Sequence, residues 1–263
     1  MELKYIDIHS HLNFPDFRKD LPEVISRMRK AGVGTICVGT GNQASKEAVG
    51  LANNYENIWA SIGVHPDDSK EDFGEDLFEE LVKNKKVVCV GECGLDYHRN
   101  QENGEKERQK KLFRKQIEFA LKRDLPLMLH VRPSRNSNDA HRDVLGVLER
   151  YKETYGEKLR GNSHFFASGT KIANRYFELG FTISFTGLIT FVRDFDKVVK
   201  ETSLDMLHIE TDAPFVSPAS RRGERNEPSY VIEVAKKISE IKGLPFEETS
   251  RKLLENSLNL FNL

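Results

Sequence analysis

The sequence predicts a single (β/α)8 barrel, and three observations support this fold class. Short, β-rich apolar runs alternate with longer, charged, amphipathic segments, which is typical of βα units built around a parallel sheet. Eight such runs can be recognised. The chain length of 263 residues matches one α/β barrel domain. An open, doubly wound sheet would also give this alternation, but eight units with short connections favour closure into a barrel.

The eight strand candidates are residues 3–9, 33–40, 58–65, 87–93, 126–131, 159–165, 181–186 and 206–212. The helical candidates between them include residues 20–32, 105–124 and 139–156. Asp20 and Asp139 stand where N-caps are expected, and Gly32 and Gly156 stand where helices are expected to stop. Two more helices, at 230–243 and 246–261, follow the eighth strand. Residues 1–263 are therefore predicted to form one domain, with its most irregular loop at 217–229.

The composition narrows the class of protein. Hydrophobic residues make up 38% of the chain and charged residues 31%, which allows a sizeable core and is unlike a disordered chain. The formal net charge of -1 gives no overall attraction to nucleic acid or to an anionic membrane. No apolar run approaches the roughly 20 residues of a membrane helix, and the first residues lack the pattern of a signal peptide. We expect a cytoplasmic monomer without a membrane partner.

The three cysteines, Cys37, Cys89 and Cys93, lie in or beside apolar strand candidates. Their spacing fits neither a disulfide framework nor a zinc knuckle, so buried free thiols are expected. Cys93 directly follows Glu92, which leaves an oxidation-sensitive role open.

Potential metal ligands are concentrated at the predicted C-terminal ends of the strands, where functional side chains of a (β/α)8 barrel converge. In chain order they are His9, His11, His65, Glu92, His130, His164 and Asp212. A single histidine would more simply be a core or surface residue. The chain has 8 histidines, however, and five of them stand at such strand ends, which random scattering would not produce.

The first strand ends in an HxH motif. His9 and His11 are separated by one residue, so on an extended strand both side chains point to the same face and can bind one cation. Imidazole combined with carboxylate suits Zn, Mn, Fe or Co, and a carboxylate-rich side would also tolerate Mg.

Two acidic positions complete the candidate site. Glu92 lies between Gly91 and Gly94, which keep the backbone narrow beside a buried site, and it could bridge two cations. The simpler interpretation of Glu92 is a strand-end salt bridge. Glu210 and Asp212 share one pleat phase before Pro214, and a purely structural acidic pair inside a barrel without cations would be surprising.

An ordered set of motifs across nearly the whole chain resembles the TatD family of metal-dependent deoxyribonucleases, within the wider amidohydrolase-like superfamily. The motifs are YIDIHSHLN (5–13), GVHP (63–66), GECGLDYH (91–98), LPLMLHVR (125–132), SHFFASG (163–169), ETDAPF (210–215) and RNEP (225–228). The resemblance implies that His9 and His11 bind one metal and His130 and His164 the other. Glu92 would then bridge the two metals, and Asp212 would lie close to the attacking water. It also implies hydrolysis of DNA, often from the 3′ end and on a single strand.

Some residues depart from the family pattern. Ile8 replaces a smaller residue, Asp67 follows GVHP where many members have a histidine, and residues 130–141 replace a shorter, more acidic stretch. These departures affect loops that face the substrate and any accessory metal site, but no proposed ligand. His98 and His141 are possible extra ligands or exposed residues, whereas His208 is expected in the core.

Phosphodiester hydrolysis needs a strong nucleophile at neutral pH and neutralisation of charge on the phosphoryl oxygens, which two divalent ions (Mg, Mn or Zn) can supply. Asp212 is then the expected general base, and Glu92 joins it as the second catalytic carboxylate. His65 and Arg132 are expected to hold the scissile phosphate. Arg225, with Arg221 and Arg222, either contacts further phosphates or belongs to a solvated charge run.

Two other functions compete with this prediction. The same scaffold hydrolyses amides, esters or lactones, but many such relatives have a carboxylated lysine at the fourth strand, where this chain has Glu92. A catalytically silent nucleic-acid-binding protein would lack some of the ligands, and none is missing in the sequence.

Overall fold

The eight predicted strands form one parallel sheet in sequential order, from β1 to β8. The computed structural model describes residues 2–68, 71–99 and 104–263. Its strands are β1 (Tyr5–Ser10), β2 (Val33–Val38), β3 (Ile58–Ile62), β4 (Val87–Asp96), β5 (Leu127–Arg132), β6 (Gly161–Ser163), β7 (Phe181–Phe185) and β8 (Leu207–Ile209). The predicted (β/α)8 barrel is confirmed.

The helices alternate with the strands. In the described residues they are α1 (Leu21–Ala31), α2 (Asn42–Asn54), α3 (Glu75–Leu81), α4 (Glu105–Lys122), α5 (Asp139–Tyr155), α6 (Thr170–Glu178), α7 (Asp196–Glu201), α8 (Val231–Lys242) and α9 (Phe246–Phe261). Every helix that the sequence predicts is present. None of the helices in the described part of the chain combines the length and apolar character that crossing a bilayer requires.

The helix ends agree with the prediction except at the N-termini of α1 and α5. Gly32 ends α1 in a left-handed conformation with φ 70, as expected of a C-cap. Asp20 occupies the N-cap position of α1, but its side chain makes no capping hydrogen bond and binds Arg225 instead. Helix α5 begins at Asp139 itself, after Asn138, and the Asp139 carboxylate accepts a hydrogen bond from the backbone of Ser134.

The barrel closes at its rim between β1 and the chain that follows β8. Ser10 and Ala213 form a parallel bridge, the His11 amide donates to the Ala213 carbonyl (2.8 Å), and the Asp212 amide donates to the His9 carbonyl (2.9 Å). Closure therefore brings the HxH motif directly beside Asp212.

Two apolar clusters lie on the two sides of the sheet. The larger one joins the outer strand faces to the helices and includes Leu127 and Leu129. The smaller one includes Ile8, Met128 and Phe261 of α9, so β5 alternates between the clusters as a pleated strand must. Helix α9 also donates from Asn256 to the carbonyl of Leu207, at the start of β8. The interior is thus filled from the N-terminal end, and the C-terminal rim is left for the polar residues.

Candidate active site

The two histidines of the HxH motif point into the same site. His9 is fully buried, His11 is 3% exposed, and their Nε2 atoms lie 3.3 Å apart. The ring of His9 also stacks on His164, with 3.8 Å between the ring centroids. Two imidazole nitrogens that face each other at this distance suit a shared cation, because their lone pairs converge.

Glu92 lies at the centre of the site, and its two oxygens face different histidines. Oε2 is 3.4 Å from His9 Nε2 and 3.8 Å from His11 Nε2. Oε1 is 2.7 Å from His130 Nδ1 and 3.0 Å from His164 Nε2. A single buried carboxylate therefore connects the histidines of β1 with those of β5 and β6.

Glycines on β4 allow this central position. Gly91 and Gly94 have φ values of 155 and 138, which side chains rarely adopt. A side chain at Gly91 would collide with the Met128 carbonyl, and one at Gly94 would collide with the His130 carbonyl. The backbone of β4 can therefore pack closely on β5, which places Glu92 against His130.

Asp212 lies in a tight turn that a buried asparagine holds in place. Its φ is 54, and the side chain of Asn226, which is fully buried, donates to the carbonyls of Thr211 (2.9 Å), Phe215 (2.6 Å) and Val216 (3.2 Å). Asp212 Oδ1 is 3.3 Å from His11 Nε2 and 3.7 Å from His9 Nε2. The RNEP motif thus acts by fixing the turn that carries Asp212.

The carboxylates of the site favour the ionised form. Burial alone would raise the pKa of Glu92, but the surrounding imidazoles, led by His164, hold this pKa well below its ordinary value. Burial also opposes ionisation of Asp212, yet its hydrogen bond with His11 and the neighbouring imidazoles lower its pKa. Both groups can therefore offer negative charge at neutral pH.

The histidines divide into two electrostatic groups. Burial and the neighbouring His164 lower the pKa of His9, and burial lowers the pKa of His65 to about 3, so both rings are neutral near pH 7. Burial acts in the same direction on His164, but Glu92 and Glu210 raise its pKa well above the ordinary value. A cation bound to His164 in place of that proton would be stabilised by the same two carboxylates.

The donor set fits divalent metal ions. Three sets of side chains each have ligand atoms within 4.8 Å of one another: His9, His11 and Asp212; His9, Glu92 and His164; and His65, Glu92 and His130. Imidazole nitrogens and carboxylate oxygens in this mixture suit Zn, Mn, Fe or Co. The site brings together all six residues for which the sequence predicts metal binding.

Two further carboxylates contact the histidines from behind. Asp96, fully buried at the end of β4, lies with Oδ2 3.1 Å from His130 Nε2. Glu210, also fully buried, accepts from the Phe165 amide (2.5 Å) and Ser184 (2.9 Å) and lies 3.6 Å from His164 Nδ1. Carboxylates of this kind orient ligating imidazoles.

Asp96 is a site residue that the sequence pattern does not reveal. Strand β4 was predicted to end at residue 93, but it continues to Asp96. Asp96 follows Glu92 by four residues, so the period-2 pattern of a longer strand would have placed both carboxylates on one face.

A cavity of about 860 Å³ opens over the site. Its lining residues include His11, Phe14, His65, Asp67, Glu92, Arg99, His130, Arg132, His164, Phe165, Asp212 and Phe215. Its size is typical of a ligand-binding cleft.

The three residues for which substrate contacts are predicted have different positions. His65 and Arg132 line the cavity, and the Arg132 side chain makes no hydrogen bond or ion pair within the described residues. Arg225 is not among the lining residues. Its guanidinium donates to both carboxylate oxygens of Asp20, at 2.7 and 2.6 Å, and lies over the Phe17 ring. Because this ion pair occupies the Arg225 guanidinium, Arg225 is not available to bind a phosphate, unlike the contact predicted from the sequence.

The other candidate histidines and the cysteines lie outside the site. His98 is exposed after β4, and His141 is buried on α5 with Nδ1 3.0 Å from the Tyr176 hydroxyl, so it is neither a ligand nor a solvated residue. His208 is fully buried beside Ser257, as expected of a core residue. The three cysteines are buried free thiols, and burial raises the pKa of Cys93 well above its ordinary value.

Comparison with known proteins agrees with this geometry. The family model described as TatD related DNase matches residues 6–262. The metal-dependent hydrolase YabD of Bacillus subtilis is 39% identical over 262 residues, which cover 98% of both chains. The crystal structure of YjjV, a TatD homologue of Escherichia coli, superimposes with a TM-score of 0.88 at 30% identity over 100% of both chains. A TatD family hydrolase of Entamoeba histolytica does so with a TM-score of 0.82 at 26% identity over 99% of both chains.

Proposed function

Because the chain belongs to the TatD family of metal-dependent hydrolases, we propose that it cleaves phosphodiester bonds of DNA, removing nucleotides from the 3′ end of a single strand. The observation that carries this proposal is the division of the Glu92 carboxylate between two sets of histidines, at the bottom of a cavity whose wall carries Arg132, a side chain without an ion-pair partner among the described residues. This arrangement suits two adjacent cations facing an anionic substrate.

Two divalent ions would have different ligands in this site. His9, His11 and Asp212 would hold one ion, His130 and His164 would hold the other, and Glu92 would contribute to both. Bound in this way, the ions supply a water of lowered pKa and positive charge for the phosphoryl oxygens.

Asp212 is placed to accept the proton of the attacking water. Its side chain is 15% exposed, compared with 5% for Glu92, so Asp212 is the carboxylate that faces the cavity more openly. Its lowered pKa keeps it ionised at neutral pH, as a base must be before it accepts a proton.

Arg132 and His65 are proposed to hold the scissile phosphate. Arg132 follows His130 by two residues on β5, so its side chain lies on the same face, and its guanidinium offers a fork of donors to phosphate oxygens. The Asp67 amide donates to His65 Nδ1 (3.1 Å), so the neutral His65 ring carries its proton on Nε2. That tautomer makes His65 Nε2 a hydrogen-bond donor at the cavity wall, 3.5 Å from Glu92 Oε1.

The alternative is hydrolysis of an amide, ester or lactone. The bridging position on β4 is filled by Glu92, which the chain supplies without modification, and the described residues that line the cavity include no lysine. The two arginines and the aromatic rings at the cavity suit a nucleotide better than a small neutral substrate.

One assay decides between these functions. Protein reconstituted with Mg, Mn or Zn is incubated with single-stranded and duplex oligonucleotides labelled at either end, and with a panel of esters, amides and lactones. We expect stepwise shortening of the single strand from its 3′ end, which chelation and His130→Ala abolish and His98→Ala does not. Hydrolysis of an amide or lactone by a protein that leaves every oligonucleotide intact would contradict the proposal.

A further inference from the structure

Two aromatic side chains stand at the mouth of the cavity on the side of β1 and β8. Phe215 is 50% exposed, and Phe14 is half-buried. Large exposed hydrophobic side chains are few in the described part of the chain. Phe215 is more exposed than the other two, Tyr155 and Leu244. Two apolar rings that lie together in a polar cavity form a contact surface for a ligand.

The two rings form a corner against a proposed metal ligand. Phe14 stacks on His11, with ring centroids 4.5 Å apart and an interplanar angle of 19°. Phe215 meets Phe14 edge-on, at 6.3 Å and 76°, and lies 6.2 Å from His11. The two rings therefore lie directly beside the proposed metal site.

The ring of Phe215 is held on a fixed backbone. The Phe215 amide donates to the Asp212 carbonyl (2.9 Å), and the Phe215 carbonyl accepts from the buried Asn226 side chain (2.6 Å). The same asparagine fixes the turn of Asp212, so the ring and the proposed base move as one unit. A ring placed in advance binds a flat partner with less loss of conformational entropy.

Positive charge lies on the opposite wall. The strand order puts β4 and β5 across the barrel from β1 and β8, and Arg132 of β5 and Arg99 after β4 line that side of the cavity. Within the described residues the Arg99 guanidinium has one ion-pair contact, an exposed one of 3.4 Å with Asp67, and Asp67 and Asp68 line the cavity beside it, so Arg132 carries most of the available positive charge. An aromatic wall facing a cationic wall matches a nucleotide, which has a flat base at one end and an anionic phosphate at the other.

We infer that Phe215, with Phe14 at its edge, is the stacking platform for the nucleobase next to the scissile phosphate, so the substrate is an unpaired nucleotide. Inside a duplex both faces of a base are covered by its neighbours, and at a duplex end the free face belongs to a base still paired with the other strand, so the ring of Phe215 stacks most readily on a base that has left the duplex. This inference rests on the proposed function, because it assumes phosphodiester chemistry at the metal ligands.

The test compares two diesters with the same leaving group, thymidine 5′-(p-nitrophenyl phosphate) and methyl p-nitrophenyl phosphate. Wild-type protein should prefer the thymidine ester, and Phe215→Ala should reduce the ratio of the two kcat/KM values by about 10-fold, in line with the loss of one base stack. Phe215→Tyr should restore the ratio, whereas Phe215→Leu, apolar but not planar, should not. Tyr155→Ala, which removes an exposed ring at the end of α5, is the matched control.

A second measurement separates stacking from catalysis. A phosphorothioate oligonucleotide with 2-aminopurine at its 3′ end should lose fluorescence when it binds wild-type protein and keep it with Phe215→Ala, at equal metal content. If wild-type protein cleaves neither diester, the proposed function fails, and the fluorescence still reports on stacking. An unchanged kcat/KM ratio in Phe215→Ala, or a wild-type dimer that Phe215→Ala dissociates in sedimentation, would overturn the inference.

Discussion

Asp96 and His130 form a hydrogen-bonded pair at the back of the metal-binding groups, with 3.1 Å between Asp96 Oδ2 and His130 Nε2. The other ring nitrogen of His130 faces Glu92, at 2.7 Å. Asp96 is itself fixed, because its Oδ1 accepts from the amides of His98 and Arg99. The chain that follows β4 therefore sets the orientation of a proposed metal ligand on β5.

Replacing Asp96 by asparagine tests this orientation. Asp96→Asn removes the charge that fixes the His130 ring, and we expect a loss of metal affinity or of turnover of about 10- to 100-fold. Metal titration and kcat measured on one preparation check this result. Asp124→Asn, at an exposed carboxylate paired with Arg160, is the control and should behave as wild type. Equal metal affinity and equal turnover in Asp96→Asn would show that the carboxylate does not position His130.

The fold could be predicted because short apolar strand segments and longer amphipathic helical segments alternate clearly along the sequence. All eight strands are predicted from the sequence. The observed strand ends differ from the predicted ones where the geometry of the barrel rim, and not the local apolar pattern, decides where a strand stops. Strand β8 was predicted over 206–212 and ends at Ile209, because the chain then turns at Asp212, which has φ 54. Strand β6 keeps only Gly161–Ser163 of its predicted range. Apolar pattern defines which residues are buried, and it does not define where a ladder of hydrogen bonds stops.

The ligands of the candidate site were predictable, and their supporting residues were not. His9, His11 and Asp212 stand at strand ends, and the structure brings them within contact of one another. Asn226 acts through three side-chain hydrogen bonds to the carbonyls of a turn, a role that has no local sequence signature. Arg225 shows the converse: this basic residue, which follows β8, binds Asp20 of the first βα unit, and only the folded structure reveals that contact.

Metal content is the most direct test of the ligand set. We expect two divalent ions per chain in the reconstituted wild-type protein, and fewer in His9→Ala and in His130→Ala. Both variants should remain folded, because the ligands project from the rim while the apolar core lies between the sheet and the helices. Elemental analysis with circular dichroism measures both properties. His98→Ala, at an exposed histidine, should keep both ions, and a wild-type protein that retains no metal after reconstitution would contradict the assignment.

Arg132 should affect turnover without affecting metal binding. Arg132→Ala removes a charge-assisted contact to the phosphate, and such contacts commonly contribute on the order of 10²-fold to the rate. Its side chain has no ion-pair partner within the described residues, so the folded state should keep its stability. Steady-state kinetics on a phosphodiester and elemental analysis are the measurements. Arg135→Ala, exposed on the loop that follows β5, is the matched control, and wild-type kinetics in Arg132→Ala would place the guanidinium away from the substrate.

Asn226 should influence both stability and rate. Asn226→Ala leaves the carbonyls of Thr211, Phe215 and Val216 without their buried donor, and each buried unsatisfied group costs about 1–3 kcal/mol. We expect a lower melting temperature and, in the fraction that folds, slower turnover, because Asp212 is no longer held. Asn226→Asp keeps the size but replaces the donor by an acceptor, so it should be at least as damaging. A variant with lowered stability but wild-type kcat would show that the turn keeps its shape without this clamp.

Asp212→Asn separates catalysis from metal storage. The substitution keeps the size and one ligating oxygen of Asp212 but removes its negative charge and its basicity. Since the pKa of Asp212 is held low beside His11 and His9, the wild-type residue is ionised at neutral pH, and only the variant lacks a base at this position. Turnover should therefore fall by roughly 10²- to 10⁴-fold, the range of a lost general base, while the oligonucleotide and at least one ion remain bound. A residue that only stabilises the turn would instead show a lower melting temperature with little change in rate. Melting temperature, metal content and nuclease rate measured on one preparation distinguish these outcomes, and near-normal activity in a folded, metal-loaded Asp212→Asn protein would refute the role of Asp212 as the base.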